Sequence, residues 1–165
     1  MTDYVLVHVS GSDKKALVSP GDRGLIIGYA WHLDLRPNSF GQLVPRRIRA
    51  NGHKGDPRRM VSLHQLILGF PGGVIDHING NIFDNRRENL RLADKRGNRA
   101  NAKPNGDRPF KGITGGGGKW EAQIVSGGKK YYLGRFTTPE DAARAYDKAA
   151  LDMFGDFARL NFPSA

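Results

Sequence analysis

Short apolar runs broken by glycine, proline and asparagine set the pattern of this chain, and each run is too short for a long helix. Residues 4–9 are rich in valine and residues 16–18 read Ala-Leu-Val, so both predict strands. Ser19 followed by Pro20 also suits the start of a short helix. Residues 29–35 and 43–50 flank Pro37, Asn38, Ser39 and Gly41, which predicts a hairpin. Between 60 and 68, Val61, Leu63, Leu66, Ile67 and Leu68 are spaced for a short buried helix that Pro71-Gly72-Gly73 would end. From Val74 the expectation is a strand, a long loop, a short strand over 89–92, and a helix over about 93–102.

The polar, turn-rich stretch 102–109 then predicts a linker, placed at 104–109, between a first domain over 1–103 and a second over 110–165. Three strands are expected beyond it, over 111–114, 119–125 and 130–136, joined by a run of four glycines and by Ser126-Gly127-Gly128. Pro139 after Thr137-Thr138, with Glu140 and Asp141 in the first turn, marks a helix start where the dipole favours acids. Ala142, Ala145, Tyr146, Ala149 and Met153 trace one helical face that the small alanines would let lie close to the sheet. The fold class is therefore α+β, with a strand-rich N-terminal region and a C-terminal three-stranded antiparallel sheet packed on one helix.

Charge narrows the partner. The 165 residues carry 26 Lys plus Arg against 16 Asp plus Glu, a net charge of +10 and a pI near 10.1. Such a balance favours a polyanion, and double-stranded DNA is the expected partner. No apolar run approaches the roughly 18 residues of a membrane span, so no membrane partner is expected. Without cysteine the chain has no disulfide, thiolate zinc site or thiol nucleophile. Its first residues lack an export pattern, which leads to the expectation of a cytoplasmic protein. No organic cofactor is expected, and a monomer is favoured.

One stretch concentrates chemistry. Asp76 and His77 open a loop that Asp84-Asn85-Arg86-Arg87-Glu88-Asn89 closes, and Asn98 follows in the basic helix. A carboxylate, an imidazole and an amide oxygen suit one hard metal ion beside one general base, the equipment for phosphodiester hydrolysis. Adjacent strand residues point to opposite faces, so Asp76 and His77 can serve one phosphate only if the strand ends or bends there. The alternative is that Asp76, Asn79, Asn85 and Asn89 only satisfy turn backbone. His64, on an apolar segment, reads as a structural residue bridging elements through a hydrogen bond. Arg86, Arg87, Arg91, Lys95, Arg96, Arg99 and Lys103 crowd the same region with few acids nearby in sequence. Phosphate anchoring fits them better than an idle solvated face.

Residues 63–69 (Leu-His-Gln-Leu-Ile-Leu-Gly), 74–81 (Val-Ile-Asp-His-Ile-Asn-Gly-Asn) and 84–91 (Asp-Asn-Arg-Arg-Glu-Asn-Leu-Arg) resemble HNH homing endonucleases of phages. The resemblance implies a ββα-metal fold that nicks or cuts DNA, with His77 as general base, Asp76 and Asn98 as metal ligands, and Asn89 orienting the loop. Asn replaces the His of many such enzymes at position 98. Two oxygen ligands then favour Mg²⁺, with Mn²⁺ as a second choice, over zinc.

The C-terminal region resembles the plant APETALA and ethylene-response-factor DNA-binding domain, through Phe110-Lys111-Gly112-Ile113, Lys119-Trp120-Glu121-Ala122-Gln123-Ile124, Tyr132-Leu133-Gly134-Arg135-Phe136 and the ending Phe157-Ala158-Arg159-Leu160-Asn161-Phe162-Pro163. Such domains lay their sheet in the major groove. By that resemblance Lys111, Thr114, Gln123, Val125, Lys130 and Tyr132 face DNA, and Lys111, Gln123, Lys130 and Tyr132 keep useful chemistry. Where the plant domains place arginines and a tryptophan, this chain has Val125 and the glycine run, which predicts modest sequence selectivity. The leading expectation is a metal-dependent DNA endonuclease targeted by its C-terminal domain. A DNA-binding regulator with an inactive nuclease core comes second. An RNA-directed protein comes third, since no aromatic stacking motif of the usual kind is present.

Overall fold

The computed structural model describes residues 4–38, 40–52, 59–104 and 108–163, without the side chain of Lys95. Ser39 of the expected hairpin loop, and residues 105–107 of the expected linker, lie outside the described residues. Packing divides the chain into two units, Met1–Leu92 and Ala93–Ala165. The α+β class holds.

In the first unit, strand β1 (Val5–Val7) pairs antiparallel with β2 (Ala16–Val18). Ser19 then leads into a 3-10 turn at Pro20–Asp22 and the short helix α1 (Arg23–Ile26). Pro20 sits where a helix needs no N–H donor. Strands β3 (His32–Pro37) and β4 (Leu43–Ala50) form the hairpin, whose turn is closed by Asn38 Oδ1 accepting from the backbone N–H groups of Phe40 and Gln42 at 2.9 and 3.0 Å. Strand β5 (Val61–Ser62) extends that sheet by pairing with Ala50 and Arg49. The helix expected from residue 60 therefore starts only at α2 (Leu63–Ile67), because buried, β-branched Val61 is taken into the sheet.

Strands β6 (Val74–His77) and β8 (Leu90–Ala93) form a two-stranded sheet. The interval between them, expected to be loop, contains a strand β7 (Asp84–Asn85) that pairs in parallel with β2. A 3-10 turn at Arg87–Asn89 follows. Val9, Val18, Trp31, Ile48, Leu63, Ile67, Phe83 and Leu90 belong to one core, so the N-terminal strands and the loop between β6 and β8 are supported by the same apolar cluster. Full burial of each larger aliphatic side chain contributes about 1.5–3 kcal/mol.

The second unit opens with α3 (Lys95–Ala100), whose N-terminus is capped by Asp94 accepting from the Gly97 N–H at 2.6 Å. Strands β9 (Ile113–Gly116), β10 (Lys119–Ser126) and β11 (Lys129–Phe136) form an antiparallel sheet with β10 central. Helix α4 (Pro139–Phe154) is capped by Thr138 and lies across it. Its buried side is Ala142, Ala143, Tyr146, Asp147 and Ala150, rotated from the expected stripe, and Ala145, Ala149 and Met153 are only partly covered. The reason is Asp147: its carboxylate accepts from the backbone of Asn161 and Phe162 and from the Asn161 amide, at 2.8–2.9 Å, fastening the C-terminal segment. At Gly112 the backbone has φ +78°, and an added Cβ would stand 1.8 Å from Cδ2 of Tyr146.

Helix α3 packs with α4 and with the 3-10 turn Gly155–Phe157. Gly97 makes this possible, since a Cβ there would lie 2.8 Å from the Phe157 ring. The packing boundary thus falls between residues 92 and 93, upstream of the expected linker, and Asn98 belongs with the second unit.

Candidate active site and nucleic-acid surface

Strand β6 ends at His77, where the Gly80 N–H turns back to the His77 carbonyl at 2.8 Å and Gly80 has φ +66°. The strand end releases the pleat, and Asp76 and His77 are both buried, 7% and 8% exposed. A web of amides then fixes the loop. Asn89 accepts from the Asn79 N–H at 3.0 Å and donates to Asn79 Oδ1 at 3.0 Å and to the Asp84 carbonyl at 2.7 Å. Its own backbone carbonyl accepts from Ile78 at 2.9 Å.

Asn85, read from sequence as a turn former, is a partner of His77. Its side-chain amide donates to the Ile82 carbonyl at 2.8 Å, which turns Oδ1 toward His77 Nε2 at 3.3 Å. An oxygen acceptor on that side requires Nε2 to carry the proton, so Nδ1 is the basic nitrogen. Burial is the main effect on His77 and lowers its pKa, against the opposing pull of Asn85, Asp76 and Asp84. The His64 ring stands edge-on to it, with centroids 5.5 Å apart. Burial first, then the charges of His77 and Arg47, bring His64 down from 6.5 to about 4. Both imidazoles are therefore neutral at pH 7.

The arginines of this stretch are paired with acids that are distant or unobtrusive in sequence. Arg91 donates to Asp76 Oδ2 through Nε and Nη2 at 3.1 and 2.9 Å. Arg86 grips Asp84 through two bonds of 2.8 Å and also reaches Glu88 at 2.9 Å. That grip, stronger than the opposing desolvation, holds the Asp84 carboxyl below the ordinary range. Arg87 forks onto Asp22 at 2.7–2.9 Å, and its backbone N–H donates to Ser19 Oγ at 2.9 Å. The premise that few acids neutralise this arginine run is thus corrected in space: Asp22, Asp76 and Asp84 do so.

Among the described residues, no group of three or more His, Asp or Glu side chains could hold a metal ion. Asp76 and Asn98 lie in different packing units. As chemistry, a carboxylate and an amide oxygen fit a hard divalent cation that retains several waters.

In the second unit, Arg96 donates to the Met153 carbonyl at 3.1 Å and lies 5.5 Å from the Phe154 ring centroid. Arg99 is exposed. Lys111, expected on the DNA face, sends its ammonium to the carbonyls of Ala100 and Arg99 at the end of α3. Such a contact suits the negative end of a helix. On β10, Ala122 and Ile124 are buried while Glu121, Gln123 and Val125 are partly or fully exposed, as the alternation requires. Gln123 stands opposite Tyr132, and Val125 opposite Lys130, and both β11 residues are exposed. No helix of the described residues is long and apolar enough to cross a membrane.

Comparison with known proteins gives two matched regions, the first of which runs past the packing boundary at residue 92. Residues 66–100, from α2 through α3, match the family model of the HNH endonucleases. The C-terminal part is similar to plant transcription factors. An ethylene-responsive transcription factor of Arabidopsis thaliana is 52% identical over 60 residues, 34% of this chain and 33% of that protein. The dehydration-responsive element-binding protein 2A of the same plant is 52% identical over 48 residues, 28% of this chain and 14% of that protein. The APETALA2-like protein 2 of Oryza sativa subsp. japonica is 51% identical over 45 residues, 27% of this chain and 10% of that protein. The chain spans a third or less of the length of these relatives. An HNH endonuclease segment joined to an APETALA/ethylene-response-factor-like region is the combination that the sequence resembled.

Proposed function

We propose that this chain is a metal-dependent DNA endonuclease of the HNH homing type, with His77 as general base and one divalent ion, brought to double-stranded DNA by its C-terminal sheet. The observation that carries the reading is the burial of Asp76 and His77 side by side at the end of β6, under a loop clamped by Asn89, inside the segment that matches the HNH family. Neutral at pH 7, His77 takes a proton from water at Nδ1 while Nε2–H on Asn85 holds the ring still. Asn85 is thus a positioning residue. Asp76 and Asn98 would hold the metal, Mg²⁺ before Mn²⁺, and Asn89 keeps the intervening loop in shape. When bound, such an ion polarises the phosphate and stabilises the departing oxygen.

The reading is tested on supercoiled plasmid with Mg²⁺, with Mn²⁺ and with EDTA. Cleavage is expected with metal only. His77→Ala should lose on the order of 10²-fold or more in rate while DNA affinity barely changes. Asp76→Ala should lose Mn²⁺ binding, read by electron paramagnetic resonance. Full cleavage in EDTA, or by a clean His77→Ala variant, would sink the mechanism. One observation favours a DNA-binding regulator with an inactive core: a guanidinium, Arg91, sits on the carboxylate that the metal needs. Tight DNA binding with no cleavage in either metal would select that second reading.

A further inference from the structure

The second unit contains a cleft of about 390 Å³ bounded by α3, the approach to β9 and the β10–β11 turn. Arg96, Arg99, Arg108 and Lys111 line it, and among the described residues that line it none is a carboxylate. Two of the four cations are fixed: Arg96 by the Met153 carbonyl and the Phe154 ring, and Lys111 by the carbonyls that end α3. Arg99 and Arg108 are exposed. Burial, and next the like charge of Arg159, pull Lys111 from 10.5 down to about 8. Cations gathered in one cleft repel one another, and an anion seated among them relieves that repulsion.

We infer that this cleft seats the phosphodiester backbone of double-stranded DNA, with Arg99 and Arg108 as the adjustable contacts and Arg96 and Lys111 as the fixed floor. The inference rests on the reading of duplex DNA as the partner, and it brings in Arg108, which lies outside the expected contact set. Position supports the backbone as occupant. Gln123 and Val125 line the cleft and are the cross-strand partners of Tyr132 and Lys130, so a strand held here runs along the margin of the exposed sheet face. Ser126, Gly127 and Gly128 also line it, and the two glycines present no side chain to the approaching backbone. A free polyphosphate shares the chemistry, and the test separates the two.

The test measures affinity of the full chain for target and scrambled duplexes over a salt series, for wild type, Arg99→Gln, Arg108→Gln, the double variant and Lys148→Gln, an exposed α4 position outside the cleft. Each single variant should weaken both duplexes alike and flatten the log affinity against log salt slope by about 0.9, and the double variant by about 1.8. Lys148→Gln should leave the slope alone. An unchanged slope in the double variant overturns the inference, as does a selective loss of target over scrambled duplex, which would make these side chains base readers. Displacement of duplex by inorganic tripolyphosphate at equal phosphate concentration would assign the cleft to free polyphosphate instead. Metal-dependent plasmid cleavage is read in parallel. Its absence would remove the nuclease reading and leave the cleft standing, whereas an unchanged slope removes only the cleft.

Discussion

The two packing units share the chain's charge equally, half of its 26 basic and half of its 16 acidic residues each, and dispose their buried acids differently. In the first, the buried carboxylates Asp22, Asp34, Asp76 and Asp84 each hold one or more arginines. In the second, Asp94 caps α3, Asp141 serves the start of α4, and buried Asp147 fastens the chain end through backbone and amide donors. Acids employed that way leave Arg99, Arg108, Lys130 and their neighbours turned to solvent. In the first unit Arg36, Arg47, Arg49, Arg86, Arg87 and Arg91 are therefore structural parts, tied to buried carboxylates, and in the second the exposed Arg99 and Arg108 line a cleft.

The contrast is broken most directly at Arg91. Removing one partner of a buried pair leaves the other uncompensated, so Arg91→Ala should cost about 3–5 kcal/mol. The chain's 2 tryptophans allow the loss to be located, because Trp31 lies in the first unit and Trp120 in the second. In a Trp120→Phe background, urea unfolding followed by Trp31 should shift strongly, and added Mg²⁺ should restore part of the loss. An Arg91→Ala protein as stable as its parent would mean that the pairing argument fails.

Gly112→Ala is the counterpart in the second unit, where shape rather than charge is unforgiving. Its methyl must displace the Tyr146 ring, an overpacking cost of about 1–3 kcal/mol, with roughly 1 kcal/mol more for a left-handed alanine. The change should appear in Trp120 fluorescence within a Trp31→Phe background and leave the first unit untouched. If both units lose stability together, they do not unfold independently.

The smallest effect is acid sensitivity confined to the first unit. His64 binds its proton near pH 4 when folded and near 6.5 when unfolded, so between those values the unfolded chain holds more protons. Stability from this residue is complete above pH 6.5 and is lost as pH falls toward 4. The Trp31 transition should drop by roughly 5 °C or more over that window, and His64→Gln should flatten the dependence. A His64→Gln chain with the parent's pH profile would show that the buried imidazole is not responsible.

What was legible in the sequence follows the range of the interactions. Strands β9 to β11 and helix α4 were readable because glycine turns, Pro139 and alternation act within a few residues. The cluster of Asp76, His77 and Asn89 was readable because its members sit on one loop. Val61 reads as helical in sequence because its strand partner, Ala50, is not a near neighbour along the chain. Strand β7 was missed for a similar reason: Asp84 and Asn85 have the residue types of a turn, and their partner β2 is far upstream. The same distance hid Asp22 from Arg87. Asn85 as the companion of His77, and Lys111 as the cap of α3, needed three dimensions, since neither residue type announces its partner.

The parallel pairing of β2 with β7 bears on how this nuclease-like segment could be moved between proteins. Residues 66–100 carry the family match, but Leu17 N–H bonds the Phe83 carbonyl at 2.7 Å, and Ser19 and Asp22 hold Arg87. The N-terminal arm is in effect a splint bound along the loop that supports His77. A graft of the matched segment alone would arrive with the β7 edge bare, ready to recruit whatever strand came near. Any transplantable piece is therefore discontinuous in sequence, and must include residues 16–22 with the matched segment.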